Sequence, residues 1–441
     1  MTRSEATKLP VAIIGAGSSG ITTGKALGQR GLPFEILEKG SQLGGMWRYE
    51  NDSGTSSAYR SLHIDTSSKA LAYPDFPVPA GLPDYLSHRQ VVAYLEDYAG
   101  HFGVTDRIRF GHEVLRAEPD RDGSWRLQLA DGSERRYRAL VVANGHLSVP
   151  RLPEFPGRFD GLQLHSHCYR SPAPFEGKRV LVVGIGNSAV DIAVDVCRGA
   201  EAVVLSTRRG AWVLPKYIMG VPTDRWGGFL MSRLKLSTRT ARRVVGLLAR
   251  LSLGDQERFG VPKPAHPIWR EHACVSQDLL SCIGHGWISV KPNVRELRGA
   301  EVAFDDGSVL PFDAIVFATG YRAEFPFLDP ALFQVADNER VQLHRRIASP
   351  DVPNLFFAGL VQPIGPTIPL VEVQGRWIAA VLAGDIELPG RDEMRVEIDR
   401  HFQEQRARYV GSARYTLEVD YRDHASALKA DIGRASVARA A

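Results

Sequence analysis

Short apolar runs that end on glycine recur along this chain. Pro10-Val11-Ala12-Ile13-Ile14 is apolar and β-branched, and Gly15-Ala16-Gly17-Ser18-Ser19-Gly20 follows at once. This order predicts a strand, a tight turn, and then a helix from Ile21 to Arg30. Phe34-Glu35-Ile36-Leu37 reads as a second strand, ending at Glu38. The series returns later. Arg179-Val180-Leu181-Val182-Val183 predicts a strand, and Gly184-Ile185-Gly186-Asn187-Ser188-Ala189 predicts the turn. A helix from Val190 to Cys197 and a strand Ala202-Val203-Val204-Leu205 complete it.

Both units also close alike. In the first, residues 125–129 and the Asp131-Gly132 turn predict a hairpin, and the strand Ala139-Leu140-Val141-Val142 runs into Ala143-Asn144-Gly145. In the second, Glu301-Val302-Ala303-Phe304, Asp306-Gly307 and the stretch from Asp313 to Tyr321 repeat those signals. Pro150, Pro153 and Pro156 mark a linker. Asn354 to Gly359 predicts a further buried strand, and a helix is expected from about Pro369 to Ala383. The expected fold is α/β, with two doubly wound, Rossmann-like dinucleotide-binding domains, the second inserted into the first. Residues 1–165 and 311–441 are expected to form the first domain and 166–310 the second, with a helical insert at about 215–285. Within that insert, residues 241–250 predict a basic amphipathic helix. It either lies on a membrane surface or packs its apolar face on the body with its arginines solvated. Gly246 interrupts the apolar face and favours the second.

Composition narrows the choices. With 441 residues, 44% hydrophobic and 24% charged, the chain is ordinary globular protein that needs no disulfide or metal staples. The net charge is only +4 and no domain is strongly basic, so nucleic acid is not an expected partner. Cys168, Cys197, Cys274 and Cys282 form no C-x-x-C pair, which leaves a zinc ribbon or a dithiol redox centre unsupported. Residues 1–10 lack the apolar stretch of a signal peptide, and no window approaches the roughly 18 apolar residues of a membrane span. A soluble cytoplasmic protein without stable membrane insertion is expected.

The glycines carry the chemistry. Gly15 permits the tight turn, Gly17 lets the backbone approach a pyrophosphate, and Gly20 allows close helix–strand packing. The helix that follows offers free N–H groups to phosphates. Glu38 stands 18 positions after Gly20, where a carboxylate accepts hydrogen bonds from ribose hydroxyls. Counting equally from Ala189 reaches Thr207, with Arg208 and Arg209 next. An arginine pairs with a 2′-phosphate that a carboxylate would repel. The bland alternative is a solvated charged turn. The first site therefore suits FAD and the second NADPH, which delivers hydride to the flavin.

The residues resemble a known family at this point. Phe159-x-Gly161-x-x-x-His165-x-x-x-Tyr169-Arg170 resembles the identifying motif of the flavin-containing monooxygenases, a group of class B flavoprotein monooxygenases. Gly44-Gly45-Met46-Trp47, Tyr73-Pro74-Asp75-Phe76-Pro77, Ala318-Thr319-Gly320-Tyr321, Gly359-Leu360-Val361-Gln362 and Leu417-Glu418-Val419-Asp420-Tyr421 resemble further family blocks. The resemblance covers nearly the whole chain. It implies that NADPH reduces FAD and that a C4a-hydroperoxyflavin then inserts one oxygen atom from O2 into a small organic substrate. That substrate is an amine or a sulfide, or a ketone in a Baeyer–Villiger reaction. The apolar anchoring tail of animal members is not seen, and symmetric homodimers are usual in the class. The residues expected at the cofactors are Gly15, Ala16, Gly17, Ser18, Ser19, Gly20, Glu38, Lys39, Gly45, Met46, Trp47, Ile64, Val114, Ala143, Gly184, Gly186, Asn187, Ser188, Ala189, Asp191, Ser206, Arg208, Arg209, Ala318, Thr319, Gly320 and Gln362.

One position departs from the family. Asp65, in Ser61-Leu62-His63-Ile64-Asp65-Thr66-Ser67-Ser68-Lys69, stands where members usually carry Asn. An ionised carboxylate only accepts hydrogen bonds, whereas an amide also donates. Asp65 is the candidate catalytic side chain, holding a nearby arginine or biasing the peroxide's protonation. The bland alternative is a cap on the following turn. Baeyer–Villiger monooxygenases carry Asp in a similar region, which tilts the reading toward ketones. His165 and His167 have no third ligand cluster near them, so no metal is expected. A quinone or dye reductase on the same scaffold is the alternative enzyme. A non-catalytic nucleotide sensor is the alternative outside catalysis.

Overall fold

The computed structural model describes residues 8–336, 340–409 and 416–440, with only the backbone described for the last five. The sequence reading of residues 1–7 lies outside the described residues.

Two five-stranded parallel sheets organise the chain. The first has the order Leu355–Phe357, Ala139–Val142, Val11–Ile14, Phe34–Glu38, Ile108–Phe110. The second has the order Leu162–His165, Ala314–Phe317, Arg179–Val183, Ala202–Ser206, Ile288–Lys291. In the first, Val11 pairs with both Phe34 and Ala139, and in the second Val180 pairs with both Val203 and Ala314. The central strands are apolar on both faces because helices and hairpins cover both, as parallel sheets require. The flanking antiparallel units are Val114–Pro119, Trp125–Leu129 and Glu134–Tyr137 on one sheet, and Val294–Gly299, Glu301–Phe304 and Val309–Pro311 on the other. The second sheet takes in Leu162–His165 and Ala314–Phe317, beyond the 166–310 limits expected from sequence. The chain returns to the first sheet with Leu355–Phe357, parallel to Ala139–Val142.

The helices after the glycine turns start earlier than periodicity predicts. They span Ser18–Gly28 and Asn187–Val196. Each begins directly after a glycine in extended conformation, Gly17 or Gly186, so the third small residue already lies in the first turn. The helix Ile368–Leu382 is buried nearly all round and crosses Ser18–Gly28 closely. Gly375 makes that crossing possible, since a Cβ there would sit 3.0 Å from the Thr23 Cα.

In the insert, the helix Thr238–Leu253 buries Ala241, Val245, Gly246 and Ala249. Gly246 faces Ile268 and Trp269, so it admits those side chains rather than breaking the helix. The arginines are not all solvated. Arg242 forms an ion pair with the buried Asp420 near the chain's end. Leu247 and Leu251 stay 57% and 74% exposed. Among the described residues, no helix is long and apolar enough to cross a membrane.

Candidate functional site

Three backbone segments converge at the first glycine turn. Gly15 has φ +105°, and a Cβ on it would lie 2.6 Å from the Ala143 carbonyl oxygen. A Cβ on Gly20 would lie 1.9 Å from the Gly15 oxygen. Gly359 has φ +84°, and a Cβ there would meet the Ser19 hydroxyl at 2.2 Å. Gly44 donates its N–H to the Ala16 carbonyl at 3.0 Å. Gly17 differs, because a Cβ on it would touch nothing closer than the Gly45 Cα at 3.8 Å. Open space thus lies before the first-turn N–H groups of Ser18, Ser19 and Gly20, which have no acceptor within the helix. That cradle fits a pyrophosphate.

Glu38 is 7% exposed. Its Oε2 accepts the Ala16 N–H at 2.8 Å and its Oε1 accepts the Gly40 N–H at 2.8 Å. Burial pushes its pKa up, while these two donors oppose the shift. The two bonds fix the carboxylate and leave acceptor sites for ribose hydroxyls. The donor set fits the adenosine half of FAD. Met46 and Trp47 lie on the short turn Gly45–Trp47, tied by a bond from the Ser56 hydroxyl to the Met46 carbonyl at 2.9 Å. Ile64 and Val114 are buried, and Lys39 is exposed.

The second turn repeats the first. Gly184 has φ +131°, and a Cβ there would meet the Ala318 carbonyl oxygen at 2.4 Å. Ser188 and Ala189 occupy the first helical turn after Gly186. The Asn187 side chain accepts the Val275 N–H at 3.0 Å and so ties the turn to the insert. Arg208 is exposed, and Arg209 lies 3.9 Å from the buried Glu271. An exposed guanidinium fits a 2′-phosphate. The Ser206 hydroxyl instead donates to the Pro292 carbonyl at 2.7 Å. Thr319 bonds to the Arg151 carbonyl, Gly320 is exposed with φ +87°, and Gln362 lies in a strand paired with Glu418–Asp420.

Asp65 is not paired with an arginine. Its Oδ1 lies 3.4 Å from the Nζ of Lys216, a residue of the insert. Burial and the nearby Asp191 push its pKa up to about 7, against the pull of Lys216. Asp191 accepts the Tyr59 hydroxyl at 2.6 Å, so it joins this cluster. The cluster therefore lies where the 59–67 loop, the second nucleotide helix and the insert meet. Periodicity carried no signal for Lys216 or Tyr59, because neither belongs to a motif. Asp224, also from the insert, accepts the Ser67 N–H at 2.7 Å.

The 159–170 motif acts as a clasp. Gly161 leaves no room for a Cβ, which would lie 2.6 Å from the Asp313 carbonyl oxygen. His165 accepts the His167 N–H at 3.1 Å through Nδ1. Tyr169 donates to Asp195 at 2.6 Å, and the Arg170 guanidinium binds carbonyls of Ser56, Ala58 and His167. Asp75 of the second block pairs with the buried Lys25, which also meets Glu372 at 3.3 Å. Among the described residues, no three His, Cys, Asp or Glu side chains cluster as a metal site. Cys197 lies beside Cys282, but burial pushes its thiol up to about 12, which keeps it protonated and inert.

The comparisons agree with this geometry. The profile of the flavin-binding monooxygenase-like family matches residues 8–437. The chain belongs to this family. Flavin-containing monooxygenase 5 of Rattus norvegicus is 36% identical over 438 residues, 94% of this chain and 81% of that protein. Dimethylaniline monooxygenase [N-oxide-forming] 2 of Oryctolagus cuniculus is 34% identical over 446 residues, 96% of this chain and 82% of that protein. The structure of S-allyl-L-cysteine S-oxygenase from Allium sativum is 28% identical, with a TM-score of 0.73 over 96% of this chain and 88% of that one. A cyclohexanone monooxygenase from Rhodococcus sp. Phi1, 17% identical with a TM-score of 0.70 over 97% of each chain, shares the fold. As a flavin-binding monooxygenase-like protein, this chain is an enzyme that uses FAD and NADPH to insert oxygen into a small organic substrate.

Proposed function

We propose that FAD occupies the first glycine turn and NADPH the second, and that the substrate is a soft nucleophile, a sulfide or a tertiary amine. Bound FAD, reduced by NADPH, supplies an activated oxygen atom for transfer. The chain positions that chemistry. Gly17 and the Ser18–Gly20 amides receive the pyrophosphate, and Glu38 receives the ribose. Arg208 selects the 2′-phosphate. The Asp65–Lys216–Asp191 cluster sets the proton inventory.

The cluster carries the choice of substrate. Asp65 pairs with Lys216 in a half-buried place next to a second carboxylate, Asp191, and is pushed up to about 7. At pH 6 Asp65 thus keeps a proton that it can donate. A proton donor favours electrophilic oxygen transfer to sulfur or nitrogen, whereas an ionised carboxylate favours attack on a ketone. The second reading, Baeyer–Villiger oxidation, gains as Asp65 ionises. The test is a product assay with methyl phenyl sulfide and cyclohexanone from pH 6 to 9. Sulfoxide should dominate at pH 6 and the ester share should rise through about pH 7. Ester dominating at pH 6 would overturn the assignment. A symmetric homodimer and a cytoplasmic location complete the proposal, and sedimentation of the holoenzyme reads the first.

A further inference from the structure

We propose that a cavity between the helices Arg391–Arg408 and Tyr421–Ala440 and the turn at Leu343–Arg346 binds a small oxyanion of the phosphate or carboxylate class. It is lined by neither glycine turn. The cavity has a volume of about 210 Å³. A liquid water takes about 30 Å³, so a tetrahedral or planar oxyanion fits with a few waters.

Its wall is rich in arginines. Arg340, Arg345, Arg346, Arg400 and Arg408 line it, with the rings of His401 and His424 beside them. The carboxylates that share the wall pair with Arg345 and Arg408 and with His344 and Arg242 outside it, and none of these pairs reaches Arg346 or Arg400. Glu397 binds His344 at 3.1 Å and Arg345 at 3.4 Å. Asp420 pairs with Arg242 and Arg408, and Asp423 pairs with Arg408 at 2.7 Å. Glu404 is exposed.

Arg346 stands apart. It is 4% exposed, and its Nε has no hydrogen-bond partner. Its remaining bonds go to neutral groups, the Thr416 carbonyl at 3.4 Å and the Gln405 side chain. Among the described residues, no carboxylate lies within ion-pair distance of it. A guanidinium stays charged inside protein, and Glu397 acts on this one only from beyond ion-pair distance, so its burial is costly unless a ligand brings a closer counter-charge. The buried His401 Nε2 is likewise unpartnered. Burial, with smaller contributions from Arg346, Arg345 and Arg400, lowers the His401 pKa to about 4 against the pull of Glu397, so that ring is neutral at pH 7. Backbone strain adds to the picture. Arg345 and Arg346 have φ of +52° and +58°, two successive side-chain-bearing residues in the left-handed region. Such strain persists where surrounding structure enforces a particular side-chain direction. The planar guanidinium fork matches phosphate and carboxylate oxygens.

The test is calorimetric titration of inorganic phosphate, and separately of acetate, into holoenzyme saturated with FAD and NADP⁺. Saturating both nucleotides removes Arg208 as a competing phosphate site, and choline chloride holds ionic strength constant. One saturable site per chain is expected for phosphate, acetate or both, and the stronger of the two names the class. Arg346→Met should weaken it about tenfold or more. Arg400→Glu alters an exposed rim position and should weaken it several-fold with FAD content unchanged. If Arg346→Met does not fold, the wild-type titration and Arg400→Glu decide. Absence of saturable heat for both anions, or saturation unchanged in every folded variant, would overturn the proposal.

Discussion

The two glycine turns of this chain are near copies, and their differences are chemical rather than topological. Both press their first glycine against a carbonyl, Ala143 for Gly15 and Ala318 for Gly184. The third position differs. A Cβ at Gly20 would be 1.9 Å from the Gly15 oxygen, yet Ala189 carries one at the matching place. The first turn is therefore wound tighter onto its helix, with Gly44, Gly45 and Gly359 closing over it. The second strand ends on buried Glu38 in one copy, whereas in the other it ends at Ser206 and exposed Arg208 follows two residues later. One scaffold thus offers a closed, carboxylate-bearing cradle and a more open, cationic one. A permanently held cofactor suits the first, and an exchanging one suits the second.

The sharpest way to break that contrast is Gly20→Ala. The added methyl collides with backbone, so FAD affinity should fall about 100-fold or more, read as loss of yellow colour after desalting. The reciprocal Ala189→Gly should cost only about 1 kcal/mol of helix stability and leave FAD bound. Next is Arg208→Ala, which should raise the KM for NADPH about 10- to 100-fold and leave that for NADH unchanged. Equal effects on both coenzymes would remove the 2′-phosphate assignment. Glu38→Gln comes third. Keeping the shape but losing the charge, it should weaken FAD binding by about tenfold.

The smallest effect concerns Asp65. Its pKa is raised from 3.8 to about 7, so the folded state holds the proton more tightly than the unfolded. That contribution is present below about pH 4 and is lost as pH rises toward 7. Asp65→Asn should remove the decline and raise the Tm at pH 8 by roughly 2–4 °C relative to wild type. It should also flatten the pH dependence of the sulfoxide-to-ester ratio. An unchanged ratio profile would take Asp65 out of the proton inventory.

Much of the frame was legible in the chain because it is written locally. The strands at 139–142, 179–183, 125–129 and 301–304 coincide with their apolar runs. The glycine spacing announced both turns, since Gly15, Gly20 and Gly184 answer close backbone approaches and Gly17 leaves open space before the helix. Helix starts were less legible, because Ser18 and Asn187 are polar and carry no periodicity. The long-range pairs were not legible at all. Lys216 meets Asp65 across about a third of the chain's length, and Arg242 meets Asp420 from farther still. Asp191 and Ser206 follow the glycine spacing, yet their side chains engage Tyr59 and Pro292. Such pairings depend on how the insert folds back over both domains, and nothing local encodes that.

The most direct test supplies purified holoenzyme with methyl phenyl sulfide, isotopically heavy dioxygen, and either NADPH or NADH. The account predicts sulfoxide that carries one heavy oxygen per NADPH consumed, with NADH far less effective. NADPH consumed with no heavy oxygen in the product, and its electrons recovered as hydrogen peroxide, would contradict it.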